Sequence, residues 1–178
     1  MIIMGRRRRR VLREDGHTLV EVLIVTVILG VVLGAVTALF VQASKGEVDM
    51  NRRFRAQQDA RVATDRMRRE IHCSSAITPT GTSASITVTL PAQCPAAGGV
   101  QTAVIYDVVG SGQRFQLRRN AVVLADYVAE QNAFNYTAPV SGTSLGKLRL
   151  TLPINTEPTN QAKEWRLVAD MVLRNTTR

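Results

Sequence analysis

Val22 to Val41 is a run of 20 residues without a charge, and nothing else limits what this 178-residue chain can become as tightly. Only Thr26, Gly30, Gly34 and Thr37 interrupt its apolar character. As a helix rising 1.5 Å per residue it reaches about 30 Å, the thickness of a bilayer's hydrocarbon core. Directly before it stands a carboxylate, Glu21, five residues after Gly16. At the mouth of a span a carboxylate costs less than at the centre, where the cost is about 2.5–3.5 kcal/mol, and taken alone it could rest at the interface with water.

Basic residues set the orientation of such a span, because cytoplasmic flanks carry excess lysine and arginine. Arg6 to Arg10 and Arg13 precede the run, whereas Lys45, Arg52, Arg53 and Arg55 after it are offset by Glu47 and Asp49. The expectation is a single-pass protein of the cytoplasmic membrane, with its N-terminus inside and the rest outside. The same arginines account for much of the formal charge of +9, which otherwise suggests a nucleic-acid binder. Beyond residue 16 there remain 17 basic and 12 acidic residues, a mild +5. A cleavable secretory signal is the rival reading, with "VQA" at Val41 to Ala43 as its cleavage site. Such signals have apolar regions of about 7–15 residues, shorter than this one.

The pattern is more specific than a glutamate beside a span: a basic leader, Gly16, His17, Thr18, Leu19, the β-branched Val20, Glu21 and then the apolar helix. "GHTLVEVLIVTVILGVV" closely resembles the N-terminal motif of type IV prepilins and pseudopilins. That resemblance implies that a membrane prepilin peptidase cuts between Gly16 and His17 and methylates the new amine on His17. It also implies a role for Glu21, which would neutralise the amine of a neighbouring pilin or pseudopilin subunit and so fix the axial register of a filament. An unpaired charge in a low-dielectric filament core is costly, and pairing favours one register. His17 departs from the phenylalanine usual after the cut. The span also lacks the proline found in many filament-forming pilins, which tilts the resemblance toward a minor subunit. Gly30 and Gly34 form a G-x-x-x-G, a pattern that permits close helix approach and is also common in spans.

About 130 residues follow the run, enough for one core. Between Glu47 and Ser75 there is no proline or glycine, and Ala56, Ala60, Ala63, Met67 and Ile71 recur at steps of three or four. This spacing predicts that the helix continues beyond the membrane with a narrow apolar stripe, opposite Arg61, Asp65, Arg68 and Arg69. "ARVATDRMRREI", Ala60 to Ile71, also admits a DNA-contact reading. Asp65 and Glu70 interrupt its basic face, and an i,i+4 pair of Asp65 with Arg69 suits a solvated helix better.

After Ser75 the period changes. "SITVTL" at Ser85 to Leu90, Val100 to Val109, Gln113 to Arg119 after "GSG", and the alternating runs Leu148 to Ile154 and Trp165 to Leu173 predict strands. In the Leu148 run, Lys147, Arg149, Thr151 and Pro153 are assigned to the outer face. The expected fold is α+β, a long N-terminal helix packed across a twisted antiparallel sheet, the ladle shape of the pilin family. The expected parts are a leader (1–16, removed), a transmembrane or filament-core helix (17–42), an amphipathic continuation (43–78) and a β-sheet domain (79–178). A helix ending in "RMRREI", then "YVAEQNAFNY" and a closing "VLRN", resembles minor pilins of the PilW and pseudopilin J kind. "LPAQCPAAGG" and "TEPTNQ" read as loops.

Cys73 and Cys94 lie beyond the span. If that part is outside the cell, a disulfide between them would close a loop of about 20 residues, worth roughly 3 kcal/mol; two unrelated buried thiols are the alternative. With only His17 and His72 as histidines, no metal or other cofactor is expected. No nucleophile motif or phosphate loop is present, and Asp107, Asp126 and Asp170 read as solvated or turn residues, so an enzyme is not expected. The main reading is a structural subunit that joins a type IV pilus or secretion pseudopilus, with priming of its assembly as one form of that role. The alternatives are a tip-displayed module that binds DNA, a surface or a secretion substrate, and an unprocessed single-pass ectodomain.

Overall fold

The computed structural model describes residues 18–174. One helix, α1 (Leu19–Cys73), runs for 55 residues. Thr18 caps its start, its hydroxyl and carbonyl both accepting from the Glu21 amide at 3.3 and 3.0 Å. Ser74 ends it, with its hydroxyl and amide donating to the Ile71 carbonyl at 2.8 and 3.2 Å, which satisfies a group that the last turn leaves open. The chain divides into two compact units, the first ending at Glu47 and the second beginning at Val48.

In the first unit every described side chain is exposed. Thr26 and Thr37 are accommodated because each hydroxyl donates at 2.8 Å to a carbonyl on the preceding turn, Leu23 and Leu33 respectively. No hydroxyl proton of the run then needs a partner outside the helix.

In the second unit, α1 buries the predicted stripe of Ala56, Ala60, Ala63, Met67 and Ile71, together with Thr64 and Glu70. Thr64 is tolerated there because its hydroxyl donates to the Ala60 carbonyl at 2.7 Å. The stripe shares a core with a sheet that has, among the described residues, nine strands: β1 (Ala76–Thr78), β2 (Gly81–Ser83), β3 (Ser85–Leu90), β4 (Thr102–Ser111), β5 (Arg114–Arg119), β6 (Val122–Val128), β7 (Phe134–Thr137), β8 (Lys147–Ile154) and β9 (Trp165–Val172). Their order is β1-β3-β4-β5-β6-β8-β7-β2, with β9 on β8, and every pairing is antiparallel. The core face carries Ile86, Val88 and Leu90 from β3, Val104, Tyr106 and Val108 from β4, and Leu148, Leu150 and Leu152 from β8. A burial alternation of period two along β3 and β4 marks one buried and one wetter face.

β1 and β2 stand at opposite ends of the strand order, yet only Pro79 and Thr80 separate them. Two residues span at most about 10 Å between flanking Cα atoms, so the sheet has to curl until its ends approach. β6 shares a single register pair with β8, Val128 with Ile154, and residues 129–133 then run on beside the same edge of β8 into β7. There the Ala129 amide donates to the Pro153 carbonyl at 2.8 Å and the Asn155 amide to the Tyr127 carbonyl at 2.9 Å. Pro153, assigned to the outer face, is instead buried along with Leu152, Ile154, Asn155 and Thr156, at a point where β8 has Ala129 along one edge and Arg166 of β9 along the other.

Two tight turns set register. Gly112, at φ +63°, links β4 to β5 in a two-residue loop. Asn120 and Ala121, at φ +46° and +66°, link β5 to β6. Positive φ at both central residues is the primed geometry that suits the strand twist, and the Asn120 side chain fixes it by accepting from the Ile105 amide at 2.8 Å. Cys73 and Cys94 form a disulfide with their Cα atoms 5.9 Å apart, fastening the loop after β3 to the last turn of α1.

Candidate functional site

The features that point to function lie at the start of α1. Gly16 and His17 fall outside the described residues. Glu21 sits in the first helical turn, where a negative charge complements the helix dipole, and its side chain is exposed. Leu19 is 82% exposed and Phe40 74%, and no residue of the apolar window is buried in the structure. Exposure on this scale has to be covered by a bilayer or by other chains. α1 is long and apolar enough to cross a membrane, with a mean hydropathy of 2.8 over its best window.

The body contains a second concentration of polar groups, and here sequence reasoning missed the central residue. Glu70, expected only to break up a basic helix face, is 3% exposed. Its oxygens receive the Tyr106 hydroxyl at 2.7 Å and Nε of Arg119 at 3.1 Å to each oxygen, while Arg66 approaches at 3.5 Å. Burial, then the hydrogen bond to Glu70, pushes the Tyr106 phenol well above its usual range. The group ties the end of α1 to β4 and β5. The Glu70 carboxylate, the Tyr106 phenol and the Arg119 guanidinium form a structural network that fixes position, with the half-exposed Arg66 at its rim.

His72 places Nδ1 3.0 Å from the Val172 carbonyl, so it links α1 to the edge strand β9. Arg61 lies 5.5 Å from the centre of the Trp165 ring, also on β9. Asp65 pairs with Arg68 at 3.1 Å, in place of the Arg69 expected; that contact is one residue closer along the helix and equally accessible to a short carboxylate. Asp107, Asp126 and Asp170 lie within β4, β6 and β9, not in turns. Each meets a cation on the adjoining strand: Arg118 at 2.6 Å, Arg114 at 2.7 Å, and Lys147 at 2.7 Å with Arg149 at 2.8 Å. The three are separate ion pairs on the sheet. Among the described residues no group of three His, Cys, Asp or Glu side chains is placed to hold a metal.

Residues 12–37 match the family model described as the prokaryotic N-terminal methylation motif. Neither the curated proteins nor the solved structures yield a match to the chain. The motif implies processing by a prepilin peptidase and assembly with other pilin subunits, and it points to a structural subunit. Together with the long apolar helix and the antiparallel curled sheet, it supports a type IV pilin-like protein.

Proposed function

We propose that this chain is a minor pilin or pseudopilin, made as a prepilin and stored in the cytoplasmic membrane with its N-terminus inside. Prepilin peptidase cuts between Gly16 and His17 and methylates the His17 amine. The mature chain then leaves the bilayer for a type IV pilus or a secretion pseudopilus. Glu21 neutralises the His17 amine of a neighbouring subunit, and the helix exchanges lipid for other helices as its cover. The observation that carries this reading is that the methylation motif matched at 12–37 runs, from Leu19 onward, along a helix whose side chains are all exposed through Val48. An exposed apolar helix can serve equally as a span and as a filament strut, since both surroundings are apolar. A proline-free span fits a minor subunit of the PilW or pseudopilin J kind.

Mass spectrometry of the N-terminal peptide tests processing, the expected species starting at a methylated His17; an intact leader would contradict it. Glu21→Val should leave cleavage intact and reduce incorporation into filaments. Normal incorporation of that variant would remove the register role.

A further inference from the structure

We infer that a cavity between the last turns of α1 and the loop after β3 is a binding site for a carboxylate carried on a small aliphatic body. The site lies wholly within the second unit and does not depend on processing of the N-terminus.

The cavity has a volume of about 320 Å³, at the small end of the range that ligand sites occupy. Arg66, Arg69 and Glu70 of α1 stand on one side of it. On the other, the Cys73–Cys94 bridge, Pro95 and Ala96 form an apolar floor. The bridge holds the two walls together, with its Cα atoms 5.9 Å apart. The loop is also braced internally: the Cys94 amide donates to the Pro91 carbonyl at 2.9 Å and the Ala97 amide to the Cys94 carbonyl at 2.8 Å. A site shaped in this way before a ligand arrives loses little affinity to ordering itself.

Charge decides what the cavity takes. From Arg114 to Arg166 every described lysine and arginine pairs with a carboxylate of its own chain. On α1 after Val48, Arg53, Arg66 and Arg68 do the same, whereas Arg52, Arg55, Arg61 and Arg69, like Arg174 beyond β9, reach no described carboxylate. Arg61 lies over the Trp165 ring. Arg69 instead lines the cavity, with Arg66 three residues before it on the same side of the helix. The carboxylate that lines it with them, Glu70, is already engaged. Arg119 Nε bonds both of its oxygens at 3.1 Å, the Tyr106 hydroxyl donates to it at 2.7 Å, and Arg66 pairs with it through Nε at 3.5 Å. That pair orients Arg66 and leaves the charge of Arg69 uncompensated. Three guanidiniums thus gather around one buried carboxylate, and the excess attracts an anion.

A planar guanidinium matches a carboxylate with two parallel N–H bonds. The side chains of the floor offer no donor to the further oxygens of a phosphate, but they do offer cover to an aliphatic stem. Among the described residues no aromatic ring lines the cavity, so a nucleobase finds nothing there to stack on. The ligand this chemistry fits is therefore one carboxylate with an aliphatic neighbour, supplied by a free acid or by an acidic side chain of a partner protein.

The test titrates isocaproate, a branched aliphatic carboxylate, into the full-length protein in detergent micelles and reads binding by saturation-transfer NMR. Isocaproate should bind saturably, and its neutral amide should not. Arg69→Glu should weaken binding by about tenfold or more, as the loss of a charged hydrogen bond implies. Arg69→Lys keeps the charge without the planar fork and should fall between that variant and the parent. Arg52→Glu removes another unmatched guanidinium of α1 and should leave binding unchanged. An oxidised Cys73–Cys94 bridge on a non-reducing gel verifies that each variant is folded. Absence of saturable binding, an unaltered Arg69→Glu, an equal loss in Arg52→Glu, or binding of the amide or of inorganic phosphate as tight as that of isocaproate would each overturn the inference. A blocked dipeptide of leucine and glutamate separates the two sources. Tighter binding than isocaproate assigns the site to an acidic side chain of a partner protein, and weaker binding assigns it to a free acid. An uncut leader in the same samples would count against the filament-subunit reading and leave this site standing.

Discussion

The Tyr106 hydroxyl donates a 2.7 Å hydrogen bond to Oε2 of Glu70, a carboxylate enclosed between the last turns of α1 and the sheet. Arg119 supplies the opposing charge, itself largely removed from water. Removing one member of such a group leaves a buried charge without compensation. Glu70→Ala should therefore destabilise the second unit by about 3 kcal/mol, measured as a shift in the urea midpoint. Tyr106→Phe, which keeps the ring, should cost less, about 1–2 kcal/mol. A Glu70→Ala midpoint within error of the parent would contradict this account.

Acid should weaken the body through its depressed carboxylates. Hydrogen bonds from Arg149 and then Lys147 hold Asp170 well below the usual carboxylate range. At Asp126, burial pulls upward, but the bonds from Arg114 and the Tyr127 amide outweigh it and the net shift is down. The unfolded chain has ordinary values near about 3.9 and so binds protons first as the pH drops. The contribution of these pairs is complete above about pH 4 and is lost as pH falls through the lower folded values. Thermal melts should be level from neutrality to that point and then decline, and Asp170→Asn should flatten the decline.

Turn chemistry provides a prediction of each sign. Ala121 occupies a left-handed position that glycine adopts without steric cost, and it is exposed. Ala121→Gly should raise stability by about 0.5–1 kcal/mol. At Gly110 the opposite holds, because a Cβ there would come within 2.7 Å of the Phe115 Cα on the paired strand and would also meet the Arg114 carbonyl. Gly110→Ala should cost about 1–3 kcal/mol. Calorimetry of both variants would check the pair, and a stabilised Gly110→Ala would show that the approach of β4 to β5 is looser than described.

Reducing the Cys73–Cys94 bridge, or replacing both residues by serine, should lower stability by roughly 3 kcal/mol, as expected for a loop of this length. Protein isolated without reductant should accept no thiol label at either position. Label at either cysteine would mean that the bridge does not form there.

The parts of this fold that were legible in the sequence are those where one physical period dominates. The Ala56 to Ile71 stripe and the alternations of β3, β8 and β9 follow from single elements meeting one apolar surface. Pro153 is buried against its alternation with the leucines, at a point where β8 lies between β9 and residues 129–133, and no window around residue 153 contains those neighbours. Glu70 was missed for a related reason. At helix spacing it belongs to a charged run, and only the return of β4 and β5, 36 and 49 residues later, makes it a buried partner. The aspartates on β4, β6 and β9 read as solvated or turn residues because their cations lie on adjoining strands, 11 to 23 residues away. The N-terminal segment was readable because its signature consists of consecutive residues.

The short link between β1 and β2 has a consequence for how the protein is made. β2 pairs with β7, and β8 waits for β9 near the C-terminus. A ribosome delivers the apolar helix first and these partners last. Pairings so distant in sequence form late, because loop closure precedes their reward. The sheet can therefore be completed only once β9 is available, long after the apolar helix has begun to seek the cover it needs.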